Sequence, residues 1–90
     1  MPNFHSSELW VDQKFTRIAI NLQPLDLILL NRTNEAWGAH VVVCIGQDLV
    51  FHLSKLNGFP KIEYMHDLQK NPKYRCYIGA KTVIRSGNNP

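Results

Sequence analysis

The feature that most constrains this chain lies between Gly38 and Ser54. Two apolar stretches rich in β-branched residues, His40-Val41-Val42-Val43-Cys44-Ile45 and Leu49-Val50-Phe51-His52-Leu53-Ser54, flank the polar break Gly46-Gln47-Asp48. That pattern predicts a β-hairpin over residues 40–54, because β-branched and aromatic side chains suit a pleated surface and Gly/Asp suit its reversal. The chain must therefore build a sheet, and the rest of the sequence is read for what can pair with this hairpin.

Upstream, Ser6-Ser7 before Glu8-Leu9-Trp10-Val11 reads as a cap and a helix of about two turns, with its acidic residue in the first turn. Lys14 to Ile20 is rich in β-branched residues, Pro24 breaks the chain, and a buried strand is expected to begin near Asp26 with Leu27-Ile28-Leu29-Leu30. Asn31 to Glu35 is turn chemistry. Downstream, Asn57-Gly58-Phe59-Pro60 is a turn, Lys61 to Tyr64 a short strand, and Asp67 to Lys70 a helical turn stopped by Pro72. Tyr74 to Ile84 closes the chain as a long strand, bent or bulged near Gly79, and residues 86–90 should fray. The expected fold is α+β: a mostly antiparallel meander of about five or six strands with one or two short helices, over residues 1–90 as a single small domain. At 90 residues it buries only about 60–65% of its unfolded surface, so its core is thin.

His40 and His52 stand at corresponding ends of the hairpin. With Gly46-Gln47-Asp48 as a three-residue loop, Ile45 pairs with Leu49, Val42 lies opposite His52, and both imidazoles share one face as diagonal neighbours; a two-residue turn would put them on opposite faces. In the three-residue register Val41, Val43, Ile45, Leu49, Phe51 and Leu53 form a heavily apolar face, expected to be the core. His40, Val42, Cys44, Val50 and His52 form the other, mixed face, where a site or a covering helix would lie. Two imidazoles in hydrogen-bond reach can act as base and orienter. They fall short of a zinc site, which wants a third protein ligand, and no Asp or Glu is placed nearby on the same strands. His5 and His66 read as surface residues.

Cys44 and Cys76 sit inside apolar runs, where free cysteine behaves as a small hydrophobe. A disulfide between them stays open, but no metal, redox or other cofactor role follows. The net charge of +3 has no Lys/Arg run behind it and gives no case for nucleic acid. Neither a signal peptide nor a membrane span is written in the chain, which by itself reads as cytoplasmic.

The ordered set Gln23-Pro24-Leu25-Asp26-Leu27, Gly38-Ala39-His40-Val41-Val42-Val43-Cys44-Ile45-Gly46, Phe51-His52-Leu53-Ser54 and Tyr74-Arg75-Cys76-Tyr77-Ile78-Gly79-Ala80-Lys81 resembles the C-terminal half of an NlpC-type cysteine peptidase domain. These papain-like hydrolases cleave bacterial cell-wall peptides with a Cys-His-polar triad. The resemblance implies that His40 is the catalytic general base and His52 the residue that orients it. It also implies a nucleophile at a helix start upstream of the His strand, where the helix dipole lowers a thiol pKa; no cysteine precedes His40 here. Cys44 stands mid-strand and Cys76 maps to a core position of the closing strand, so neither is expected to replace it. Leu25 stands where the family keeps a turn glycine, which suggests a different turn.

The expected function is thus a truncated or split NlpC-type peptidase domain that carries base and orienter but lacks the nucleophile. A non-catalytic peptide- or protein-binding module of the same fold is the alternative. Expected partners are a cell-wall peptide and a second chain, or self-association, covering a sheet face that a missing helix would leave bare; neither nucleic acid nor membrane is expected.

Overall fold

The computed structural model describes residues 5–53 and 59–84. A short helix α1 (Ser6–Val11) leads into strands β1 (Thr16–Ile18), β2 (Leu27–Asn31), β3 (His40–Gly46), β4 (Leu49–Leu53) and β5 (Pro60–Tyr64). Helix α2 (Met65–Leu68) and a 3₁₀ turn (Pro72–Tyr74) then precede strand β6 (Cys76–Val83). Six strands form one sheet in the order β1-β6-β2-β3-β4-β5, and every neighbouring pair is antiparallel. The fold is the α+β meander read from the sequence, with one addition: β6 returns to lie between β1 and β2. Ser54, Asn57, Gly58 and the tail from Arg85 onward, expected as strand end, turn and frayed terminus, lie outside the described residues.

Strand β2 is the spine. Ile28, Leu29 and Leu30 are each fully buried, so both of its faces are covered, as an uninterrupted apolar run requires. Each such side chain contributes roughly 1.5–3 kcal/mol by leaving water. On one face Ile28 and Leu30 cluster with Val42, Cys44, Val50 and Leu68, the last from α2, with Met65 and Tyr74 packed against them. On the other, Leu29 pairs across the ladder with Gly79, and a Cβ built on Gly79 would come within 2.4 Å of the Trp10 ring. Helix α1 therefore lies on the Leu29 face and presses its indole onto the backbone of β6.

The core assignment of the hairpin is the reverse of the sequence expectation. Val42, Cys44, Val50 and His52 are buried, whereas Ile45, Phe51 and Leu53 are 37–59% exposed. Period-two alternation separates two faces without saying which one other elements cover. Here α2 and the 3₁₀ turn come down on the histidine face, and the more apolar face of β4 and β5 stays open, with Phe51 beside Ile62 and Leu49 beside Tyr64.

Several local expectations are also amended. His5, not Ser6 or Ser7, caps α1, and its N–H donates to Glu8 Oε1 at 3.0 Å. Ser6 is used tertiarily: its hydroxyl donates to the Ala36 carbonyl at 2.6 Å and accepts from Ala39 N–H at 2.9 Å. The helical turn expected at Asp67–Lys70 starts earlier, at Met65, and ends at Leu68. Pro72 opens the 3₁₀ turn behind an Asn71 cap, the position where its missing N–H costs nothing. The turn before β2 keeps a glycine-type geometry despite Leu25: Asp26 N–H donates to the Gln23 carbonyl at 3.1 Å, Pro24 follows Gln23, and Leu25 has φ +76°. That is the pattern of a type II turn, whose third position favours glycine.

Candidate functional site

The hairpin turn determines whether the two histidines can meet. Its loop is the two-residue Gln47-Asp48, closed by the Gly46–Leu49 pair, which alone would send the rings to opposite faces. A β-bulge at Ile45 adds back one residue, so Val43 pairs with Phe51 and Cys44 with Val50, the register of a three-residue loop. Asp48 takes φ +56°, a conformation that Asp tolerates better than most residues. It also anchors α2, accepting from Met65 N–H on its carbonyl and from the His66 ring on its carboxylate. His66 is thus exposed, as expected, yet tied down, while His5 is simply exposed.

His40 and His52 consequently lie together, with Nε2 of His40 3.1 Å from Nδ1 of His52 and the rings edge to face. His52 is 7% exposed. Tyr74, from the 3₁₀ turn, stacks on His40 at a centroid distance of 4.7 Å. The carboxylate that the sequence reading did not place is Glu63 of β5: its Oε2 sits 2.5 Å from Nε2 of His52. Lys61 Nζ lies 3.6 Å from the other Glu63 oxygen. Three adjacent strands thus contribute three groups bonded in series. They bond one another instead of converging on a common point, and among the described residues no group of three His, Cys, Asp or Glu side chains is disposed to hold a metal ion.

The series has a direction. An ionised carboxylate only accepts, so Nε2 of His52 carries the proton that it donates to Glu63. A neutral His52 then accepts at Nδ1, which requires Nε2–H on His40. In that tautomer the His40 proton sits on Nε2 and its lone pair on Nδ1. Glu63 would offset the positive charge that protonation there creates.

The thiols are engaged elsewhere. Both cysteines are free; Cys44 is buried in the core cluster with its Sγ donating to the Gly46 carbonyl, and Cys76 donates to the Arg32 carbonyl, each at 3.5 Å. Beside His40 opens a cavity of about 190 Å³ lined by Asn31, Arg32, Gly38, His40, Lys73 and Tyr74.

Glu63 had one legible signal. Given a strand over Lys61–Tyr64, alternation sets Glu63 opposite in facing to Ile62 and Tyr64. Its register with β4 was not legible, because the connection over residues 54–59 is too long for turn geometry to specify pairing. Among the described residues no helix is long and apolar enough to cross a membrane. No family model, curated protein or solved structure matches the chain.

Proposed function

We propose that this chain is the base-bearing half of an NlpC-type cysteine peptidase domain, with His40 as general base and His52 as its orienting partner. The observation that supports this is the hydrogen-bonded series Glu63, His52, His40, which with a neutral His52 puts the His40 proton on Nε2 and its lone pair on Nδ1. In the proposed reaction a thiol gives its proton to that nitrogen and the thiolate attacks a peptide carbonyl. The departing amine takes the proton from His40, and water, activated by the same base, releases the acid and restores the thiol. The sulfur is proposed to come from a segment or chain carrying a cysteine at a helix start, since Cys44 and Cys76 are held by backbone carbonyls in strands.

A partner is also proposed for the open face of β4 and β5, where Leu53, Ile62 and Tyr64 are each more than half exposed. The second reading, a peptide-binding module without chemistry, is favoured by the cavity beside His40 having no thiol in its lining.

The test is complementation. The purified chain is mixed with a recombinant cysteine-bearing helical segment of an NlpC-type domain and assayed on muropeptides. Cleavage that disappears in His40→Ala supports the peptidase reading. Binding of muropeptide without cleavage supports the module, and neither binding nor cleavage counts against both.

A further inference from the structure

We propose that the open face of β4 and β5 is completed by a second copy of this chain, which pairs its β5 antiparallel to the first about a two-fold axis at Ile62. This names the occupant of that face and rests on the reading that a partner covers it; the peptidase chemistry is independent of it.

Strand β5 is the last in the sheet, and among the described residues it pairs with β4 alone. An edge of this kind presents unpaired N–H and C=O groups to any strand that fits. Beside it Phe51, Leu53, Ile62 and Tyr64 are 39–60% exposed on the open face. The two features together suit a partner that brings both a strand edge and an apolar face, and a second copy brings that same pair.

Charge selects the register. The strand reads Pro60-Lys61-Ile62-Glu63-Tyr64; Lys61 pairs with His52 and Glu63 with Val50, so both lie on the histidine face while Ile62 and Tyr64 lie on the open one. With Ile62 on the axis, Lys61 stands opposite Glu63 of the second copy, twice by symmetry, and Ile62 stands opposite itself. Moving the axis to Lys61 or to Glu63 sets like charges against each other. A slip of one residue puts the open face of one copy beside the histidine face of the other.

Two residues that commonly guard a sheet edge are accommodated here. The Lys61 charge meets a carboxylate, and Pro60, at the first position of the strand, withholds only one donor. The opposite edge of the sheet lacks this complementarity. It is β1, Thr16-Arg17-Ile18, where the same operation sets Arg17 against Arg17.

The pairing also reaches the histidine series. Glu63 bonds His52 through one oxygen and has Lys61 of its own strand 3.6 Å from the other. Lys61 of the second copy, directly opposite, adds a cation on that side and favours the ionised carboxylate that fixes the His52 tautomer.

The test is sedimentation equilibrium of the full chain from about 1 µM to 1 mM, the span expected of a small interface. The parent should dimerise, and Lys61→Glu, which turns both Lys–Glu pairs into like charges, should weaken the dimer at least about ten-fold while its amide spectrum stays folded. Ile62→Cys provides a second measurement. Residues opposite on the axis have Cα atoms roughly 4.5–5.5 Å apart, within disulfide reach, so mild oxidation should link this variant into dimers. The parent, with its native cysteines, and Ile18→Cys on the β1 edge should stay unlinked. A chain that remains monomeric throughout, a dimer indifferent to Lys61→Glu, or no greater linking of Ile62→Cys than of Ile18→Cys would overturn the proposal. Monomers in which Ile62→Cys links instead to the cysteine-bearing segment of the complementation assay would also overturn it, while keeping a partner on the face. Dimers without cleavage in that assay sink the peptidase reading and leave the second copy standing; cleavage by a monomeric chain does the converse.

Discussion

Nε2 of His52 and Oε2 of Glu63 stand 2.5 Å apart across the β4–β5 pair, and this contact governs a ring that Glu63 does not touch in the hydrogen-bonded series. By taking the Nε2–H of a neutral His52 it leaves His52 Nδ1 to accept from His40. The His40 proton is thereby fixed on Nε2, two strands away from the carboxylate.

Glu63→Gln should therefore change His40. Long-range proton–nitrogen correlation spectra of the parent chain should report a single Nε2–H tautomer at His40, and the variant a mixture, because a glutamine amide can either donate or accept. In the complemented assay the same variant should slow cleavage on the order of 10²-fold. An Nδ1–H tautomer at His40 in the parent would contradict the series.

Leu25→Gly should stabilise the fold. Leu25 holds φ +76° at the third position of its turn while 53% exposed, so its side chain gains little burial in return for a left-handed backbone. Relief of that strain is worth roughly 1 kcal/mol. Urea unfolding should show a higher midpoint for Leu25→Gly and no gain for Leu25→Ala; a lower midpoint for the glycine variant would show the turn unstrained.

Gly79→Ala should destabilise by about 1–3 kcal/mol, the usual range for forcing an extra carbon into a packed contact. The new Cβ would meet two Trp10 ring carbons at 2.4 and 2.8 Å, and the residue also holds φ +155°. Measured again in a Trp10→Ala background, the penalty should shrink to its backbone part. An equal penalty in both backgrounds would mean that the indole is not what excludes the side chain.

Asp12 supplies an acid-sensitive anchor below α1. Burial opposes its ionisation, but hydrogen bonds from the N–H groups of Phe15, Lys14 and Thr16 and from the Thr16 hydroxyl outweigh this and hold the carboxyl below its ordinary value of 3.8. A folded-state pKa below the unfolded one gives stability that is complete above the unfolded value and is lost as pH falls through the folded one. At neutral pH Asp12→Asn should unfold at lower urea than the parent, and the gap should close only below about pH 3.8. A gap that persists unchanged at pH 2 would assign the effect to packing instead of charge.

The hairpin was legible because its cause is local. β-branched runs, a Gly-Gln-Asp break and period-two alternation place His40 and His52 on one face once the register is taken as that of a three-residue loop, and the bulge at Ile45 reproduces that register with a shorter turn. The turn at Leu25 was less legible: a leucine where glycine is usual suggests a new geometry, yet the Gln23–Asp26 hydrogen bond keeps the old one and the leucine bears the strain.

By itself the amino-acid order determined the strands and the hairpin, and narrowed the two imidazoles to one face or to opposite faces according to the turn, all of which follows from side-chain chemistry within some fifteen residues; the bulge at Ile45 then put them on one face. The tertiary structure decided which face of the hairpin is buried, that Trp10 lies on Gly79, and that Glu63 completes the series behind His52. Those outcomes depend on elements far apart in the chain choosing a side of the sheet and a register, and alternation leaves both choices open.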